Sequence, residues 1–332
     1  MKIITCAGYY RTGSSAVTDF FSEFDNCKSL GITEVRILQD PYGISNLETN
    51  IIEHPHRHNT SHAIKKFIDS AKFENGNFIS KRYKSIFGDI FMKATLQYVN
   101  DITQCKCRNH WRYDVIEKGN FIYMLNSLLE TCYEKISHGQ RKSFFDNEFA
   151  YYTGIKKEEF YKATKKYTST LFSSICCNAE YIMVDQLAAP HEASRYLNYI
   201  DDMYIIIVER DPRDLWILES MKYRWGVIPQ DNVNDFCTWY KITREHRKHE
   251  KDNERVCFIY LEDLIYKYDE TSKFLIKFVG NNKIYHTHIK DSFNPDISIK
   301  GTRVWEKYPD KKKEIDIIER ELSEYLYEYY YL

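Results

Sequence analysis

Eight residues, Gly8-Tyr9-Tyr10-Arg11-Thr12-Gly13-Ser14-Ser15, stand between an apolar run, Ile3 to Ala7, and an amphipathic run, Ala16 to Phe24. That order predicts a strand, a glycine loop and a helix. A loop of this kind turns backbone N–H groups toward an anion and aims a helix N-terminus at it, where the macrodipole favours phosphate or sulfate. Gly8 and Gly13 have the spacing of a Walker A loop, but Ser14 stands where that motif places its lysine, which disfavours an ordinary ATP or GTP site. Arg11 is the one cation in the loop and precedes Gly13 by two residues. A plain glycine turn with a solvated arginine is the competing interpretation.

The 332 residues are enough for one large α/β domain or two small ones, with a substantial core, and one domain with an insertion is the expectation. Formal charge is −1, which argues against a general nucleic-acid binder and leaves anion recognition to local basic sites. The nine scattered cysteines and the lack of a secretory signal ahead of the first strand predict reduced thiols and a cytoplasmic protein. Cys105-x-Cys107 and Cys176-Cys177 lack the paired spacing of a zinc site. No apolar stretch reaches the roughly 20 residues that span a bilayer. With 28 Tyr and 19 Phe, many tyrosines must be partly exposed; most of these rings are expected to pack in the core and its rim, and exposed ones suit sugar faces or partner surfaces.

Beyond the loop, Val17, Phe20, Phe21 and Phe24 form a helical apolar stripe, and a short strand is expected over Cys27 to Ile32. Thr33-Glu34-Val35-Arg36 should then emerge at the loop's edge of the sheet. His54-Pro55-His56-Arg57-His58 reads as an extended polar loop with its histidines on similar sides; a source of a catalytic base and a metal site are the alternatives. From about Ala63 to Ser174 the pattern is mainly helical, with Phe121 to Leu125, Leu128 and Leu129 expected as a buried helix. Lys81, Arg82, Lys84, Lys106, Arg108 and Arg112 are candidate contacts for an anionic acceptor, or solvated charges. We take this stretch, about 63–174, as a helical cap inserted into a single domain over 1–332.

Tyr181 to Gln186 and Tyr204 to Glu209 read as buried parallel strands, with a helix near His191 to Tyr199 between them. Arg210-Asp211-Pro212-Arg213-Asp214 follows the second: an arginine leaving a strand for a bidentate phosphate contact, with Pro212 and Asp214 turning and capping the chain. Val256 to Leu261 is a further strand. Ile315, Ile318, Leu322 and Leu326 form the stripe of a C-terminal helix running on to Tyr-Tyr-Tyr-Leu.

These segments resemble the sulfotransferases that use 3'-phosphoadenosine 5'-phosphosulfate (PAPS). Arg11 before Gly13-Ser14-Ser15 resembles their phosphosulfate loop, and Arg210-Asp211-Pro212-Arg213-Asp214 their 3'-phosphate segment. Glu34-Val35 is similar to the catalytic glutamate segment of the heparan-type members, and Ser298 to Trp305 to their C-terminal Lys-Gly plus Trp closure. The resemblance covers roughly residues 1–40 and 180–310. It implies a P-loop-like parallel sheet with helices on both faces, and PAPS as co-substrate without a metal. Arg11, Thr12, Gly13, Ser14, Ser15 and Ala16 would hold the 5' end; Arg210, Ser220, Lys300 and Gly301 the 3'-phosphate; Tyr260 the adenine. Glu34 would be the base and Arg11 the charge stabiliser, with His56 and its neighbours as alternative bases. A saccharide or glycolipid hydroxyl is the implied acceptor. Departures are Gln186 where the family carries lysine, Leu218 where it carries serine, and Leu261 where it carries tyrosine. A P-loop kinase and a non-catalytic nucleotide-binding protein are the rival readings.

Overall fold

The computed structural model of the protein describes residues 1–76, 82–140, 148–249, 253–280 and 283–329. Lys81 and the last three residues of the Tyr-Tyr-Tyr-Leu end lie outside them. The chain forms two compact units, one of residues 1–36 with 176–332 and one of residues 37–175.

The first unit is an α/β layer structure around a five-stranded parallel sheet. In chain order its elements are β1 (Lys2–Gly8), α1 (Ser14–Ser22), β2 (Cys27–Ser29), β3 (Tyr181–Asp185), β4 (Met203–Glu209), α2 (Pro212–Ile217), α3 (Val233–Arg244), β5 (Val256–Tyr260), α4 (Leu261–Tyr266), α5 (Tyr268–Gly280) and α6 (Lys312–Glu321). The strand order is β2-β3-β1-β4-β5. All five residues of β3 and the middle five of β1 are buried, as parallel strands covered on both faces must be. One covering layer is α1, α4 and α5: Val17, Phe20 and Phe21 pack with Leu264, Leu275 and Val279 over Ile4, Met183, Ile206 and Val208. A second cluster joins α2, α3 and α6, where Trp216, Phe236 and Tyr240 meet Ile315, Ile318 and Leu322.

Register places the functional segments. Cys6 of β1 lies opposite Asp185, Gly8 opposite Val208, and Glu209 opposite Tyr260. Four strands therefore end side by side, and the loops that leave them share one edge, where α/β proteins bind ligands.

The expected strand over Cys27 to Ile32 is shorter, stopping at Ser29, and the helix expected over His191 to Tyr199 is confined to Ala193–Tyr196. Asp211 caps α2, accepting from the N–H of Arg213 at 2.9 Å. Asp214, assigned that task above, instead binds a distant segment.

The second unit is mostly helical. Helices Arg57–Asn75, Ile90–Ile102 and Lys157–Ser173 enclose an aromatic core in which Tyr98 stacks on Tyr167 at 4.9 Å. Both buried phenols find partners, Thr164 at 2.9 Å and Thr95 at 2.8 Å, so neither hydroxyl is left unpaired away from water. A two-stranded antiparallel ribbon, Cys105–Arg108 with Phe149–Tyr152, interrupts the helices. The apolar segment expected to be a buried helix does form one, Asn120–Ile136, but it is not buried: Phe121 is 78% and Leu128 63% exposed. Its inward side carries Asn126, which donates to Glu130, so the apolar stripe points out.

Candidate active site

The glycine loop begins where β1 ends. Tyr10 and Arg11 adopt left-handed backbone, φ 68° and 54°, a conformation that costs non-glycine residues roughly 1–3 kcal/mol and clusters at functional sites. Gly13 follows at φ 103° and precedes α1. A Cβ there would meet the Leu261 side chain at 2.9 Å, which adds to the left-handed backbone in favouring glycine. Thr12 is buried and accepts from the Tyr9 N–H at 3.2 Å, closing the turn. No side chain caps α1, which leaves the amides at its very start open to an outside acceptor. Ser14 opens the helix; its hydroxyl lies 3.5 Å from Asp185 Oδ2 and receives the Gln186 amide at 3.2 Å. Ser15 and Ala16 complete that first turn, with the Ala16 N–H donating to Gly13 at 3.0 Å.

Arg11 does not project alone. Its Nε pairs with buried Glu219, and its guanidinium lies between the rings of Tyr223, 3.9 Å, and Trp225, 4.3 Å. Burial pushes the Glu219 carboxyl up, against the pull of Arg11.

Arg210 leaves β4 and joins three segments. Its Nη1 donates to the Arg11 carbonyl at 3.3 Å and its Nη2 to the Gly301 carbonyl at 2.6 Å. The buried Nε makes no hydrogen bond with a described residue. Asp211 is gripped by Arg213, Nε at 3.0 Å and Nη2 at 2.6 Å, which keeps α2 fixed under the arginine. Asp214 accepts the N–H groups of Arg303 at 2.8 Å and Val304 at 2.6 Å, pinning the segment after Gly301 to α2. Burial lifts the Asp214 carboxyl to about 6 although Arg210 opposes it. Buried Glu262 receives the Asp211 N–H at 3.0 Å, and burial lifts it to about 8, Arg210 pulling down and Asp211 pushing up.

Gly301 therefore sits with the loop and Arg210, while Lys300 beside it is exposed. Ser220 lies in a π-helical turn, Leu218–Tyr223, and its hydroxyl donates back to Trp216 at 2.7 Å. Tyr260 ends β5 with its ring 5.5 Å from that of Tyr327; burial and the charge of Glu209 push its phenol to about 12. Glu34 pairs with Arg36 at 3.5 Å, and the neighbouring Val35 N–H donates to the Asp185 carbonyl at 3.2 Å, setting the segment beside the end of β3.

The histidine cluster belongs to the second unit. There the extended-loop expectation is corrected: His56 is the N-cap of helix Arg57–Asn75, accepting the His58 N–H at 3.4 Å, and His58 is inside the helix with its ring 3.7 Å from that of Trp111. Helix entry rotates successive side chains by about a hundred degrees and ends the alternation that a strand would have kept. Among the described residues no group of three or more His, Cys, Asp or Glu side chains is arranged to hold a metal ion, and no helix is long and apolar enough to cross a membrane.

Sequence reasoning passed over two groups. One is Asp185, 3% exposed at the end of β3, whose Oδ1 has no partner among the described residues. Burial, then the charge of Glu34, pushes its carboxyl to about 7. A carboxylate closing the apolar run Tyr181 to Val184 was the available signal. The other is the support under the loop. Fully buried Arg244 lies between the rings of Tyr9, 4.1 Å, and Tyr240, 3.6 Å, and pairs with Glu209 at 3.2 Å. Tyr9 also bonds His246 at 2.8 Å.

No family model and no curated protein matches this chain. Among solved structures it is similar to a retinol dehydratase in complex with androsterone and inactive cofactor PAP, with 13% identity over 99% of this chain and 83% of that one and a TM-score of 0.35. Sulfotransferase STF9 from Mycobacterium avium gives 11% identity, 98% and 76% coverage and a TM-score of 0.35. Sulfotransferase STF1 from Mycobacterium tuberculosis H37Rv gives 9%, 91% and 76%, and 0.32. With TM-scores below 0.5, these similarities assign neither activity nor ligand to this chain.

Proposed function

We propose that the protein is a PAPS-dependent sulfotransferase acting on an acceptor hydroxyl. The observation that carries this reading is the Arg210 guanidinium, bonded at once to the glycine loop and to Gly301. A nucleotide with anionic groups at both the 5' and the 3' position suits such a site, whereas ATP has nothing for the second end. The uncapped start of α1 and the orphan Nε of Arg210 are donors that two such groups would satisfy. In this reading the amides of Thr12 to Ser15 hold the 5' end with Ala16 beside them, and Arg210, Gly301, Lys300 and Ser220 surround the 3'-phosphate, with Tyr260 toward the base.

When bound, PAPS supplies the sulfuryl group; its S–O bond to the 5'-phosphate breaks as a bond to the acceptor oxygen forms. Glu34 takes the acceptor proton. Arg11, sharing its charge with Glu219, stabilises the departing phosphate oxygen. The acceptor is proposed to be a saccharide or glycolipid hydroxyl.

One observation favours a kinase. Asp185 ends the strand beside β1, where P-loop enzymes carry an acidic residue, although the side chain it faces is Ser14, in the lysine position, and not Ser15, which stands where their Mg²⁺-binding hydroxyl does. The serine in place of the P-loop lysine counts against it. Calorimetric binding of adenosine 3',5'-bisphosphate and of ATP, each with and without Mg²⁺, separates the two. Tight bisphosphate binding without metal, followed by sulfate transfer to one of a panel of glycans and alcohols, supports the sulfotransferase; ATP binding that needs Mg²⁺ overturns it.

A further inference from the structure

The loop edge of the sheet holds more negative charge than an anion site should. Asp185 and Glu34 both lie there, and two of the cations near the loop are already paired with carboxylates, Arg36 with Glu34 at 3.5 Å and Arg11 with Glu219, while Arg210 bonds the loop carbonyl of Arg11. Around Asp185 the facing groups are Glu34 and Arg36 from the segment after β2, Ser14 from α1, the Cys6 thiol from β1 and the backbone of Gln186. Of these only Glu34 and Arg36 carry charge near neutral pH, since burial, then Asp185 itself, pushes Cys6 well above the ordinary thiol range. A phosphate or phosphosulfate at the start of α1 would add its own charge beside the two carboxylates Asp185 and Glu34, offset only in part by Arg210, which contacts the loop at the Arg11 carbonyl. Asp185 is the group able to respond: it is 3% exposed, and Oδ1 has no partner among the described residues.

We infer that Asp185 takes up a proton when the phosphate-bearing end of a nucleotide enters the loop of residues 8–15, so that ligand binding and protonation of this carboxyl are one linked event. This rests on the nucleotide reading given above. Protonation removes the like charge beside Glu34. Without ligand the Asp185 carboxyl already stands at about 7, lifted by burial and then by Glu34, so an added anion moves it clear of neutrality.

The test is calorimetric titration of adenosine 3',5'-bisphosphate into the full-length protein at pH 8, where the ligand phosphates are ionised, in two buffers of different ionisation enthalpy. Uptake approaching about one proton per nucleotide is expected for the wild type, and its loss in Asp185→Asn. Equal heats in both buffers for the wild type, or the same uptake in the variant, overturn the inference while leaving the nucleotide site intact. Should the variant fail to fold, the wild-type profile decides: Kd should weaken about tenfold per pH unit above pH 8, and a flat profile overturns it. Binding that requires Mg²⁺ also overturns it, because a cation would then offset the charge. Absence of binding at every pH sinks the nucleotide reading itself and this inference with it.

Discussion

The guanidinium of Arg210 donates to the main-chain carbonyl of Arg11 at 3.3 Å. The bond ties the exit of β4 to the glycine loop, which holds two successive left-handed residues, Tyr10 and Arg11. Because the same guanidinium holds Gly301, any change at Arg210 acts on the loop and on the C-terminal segment together.

Arg210→Ala should therefore weaken binding of adenosine 3',5'-bisphosphate more than binding of adenosine 5'-phosphosulfate, which lacks the 3' group. Charge-assisted hydrogen bonds contribute about 1.5–3 kcal/mol each, so the extra loss is expected at roughly 10- to 100-fold. Calorimetry on both ligands checks this. Equal losses would mean that the arginine only braces the loop.

Glu34→Gln keeps the size and a hydrogen-bonding tip while removing the basic oxygen. Turnover is expected to fall roughly 10²- to 10⁴-fold, the usual contribution of a positioned base, with bisphosphate affinity unchanged or improved. Improvement is the expected direction, because Glu34 repels the Asp185 carboxylate and any bound anion. A rate within a few-fold of wild type, measured by transfer of labelled sulfate, would move the base elsewhere.

The central parallel strands were legible because each is buried on both faces and so spells a continuous apolar word, Ile3 to Ala7 or Ile205 to Val208. Gly13 was legible for a local reason, a turn that must be left-handed. What stayed hidden depended on partners remote in sequence. Asp185 gains meaning only from register with β1 and from Glu34, and the capture of Arg11 by Glu219 joins the glycine loop to the π-helical turn beyond α2. The bond of the Ser220 hydroxyl back to the Trp216 carbonyl, within a π turn, was not legible either. In helix Asn120–Ile136 the periodicity is correct, yet periodicity does not say which side of a helix faces the body of the unit.

Glu262 makes stability depend on pH in a defined sense. Burial lifts its carboxyl from 4.5 to about 8. A group held protonated by the fold contributes fully below its unfolded value and loses that contribution as pH rises through the folded one, here between about pH 4.5 and 8. Glu262→Gln cannot ionise. The variant's Tm relative to wild type should thus rise with pH, by on the order of 5 °C between pH 6 and pH 9. Thermal unfolding followed by circular dichroism measures the gap, and a gap that does not change with pH contradicts the assigned shift.

Gly13→Ala tests the loop against its packing. At φ 103° an alanine bears left-handed strain of about 1–2 kcal/mol, and its methyl would press on Leu261 at 2.9 Å. Overpacking adds about 1–3 kcal/mol, so the single variant should lose roughly 2–5 kcal/mol and most of its nucleotide affinity. Adding Leu261→Ala removes the clash and leaves the backbone strain. If the clash dominates, the double variant in urea denaturation is more stable than the sum of the two single losses predicts, by about 1–3 kcal/mol. Strict additivity would show that the backbone angle alone demands glycine, and that the leucine is a bystander to the loop.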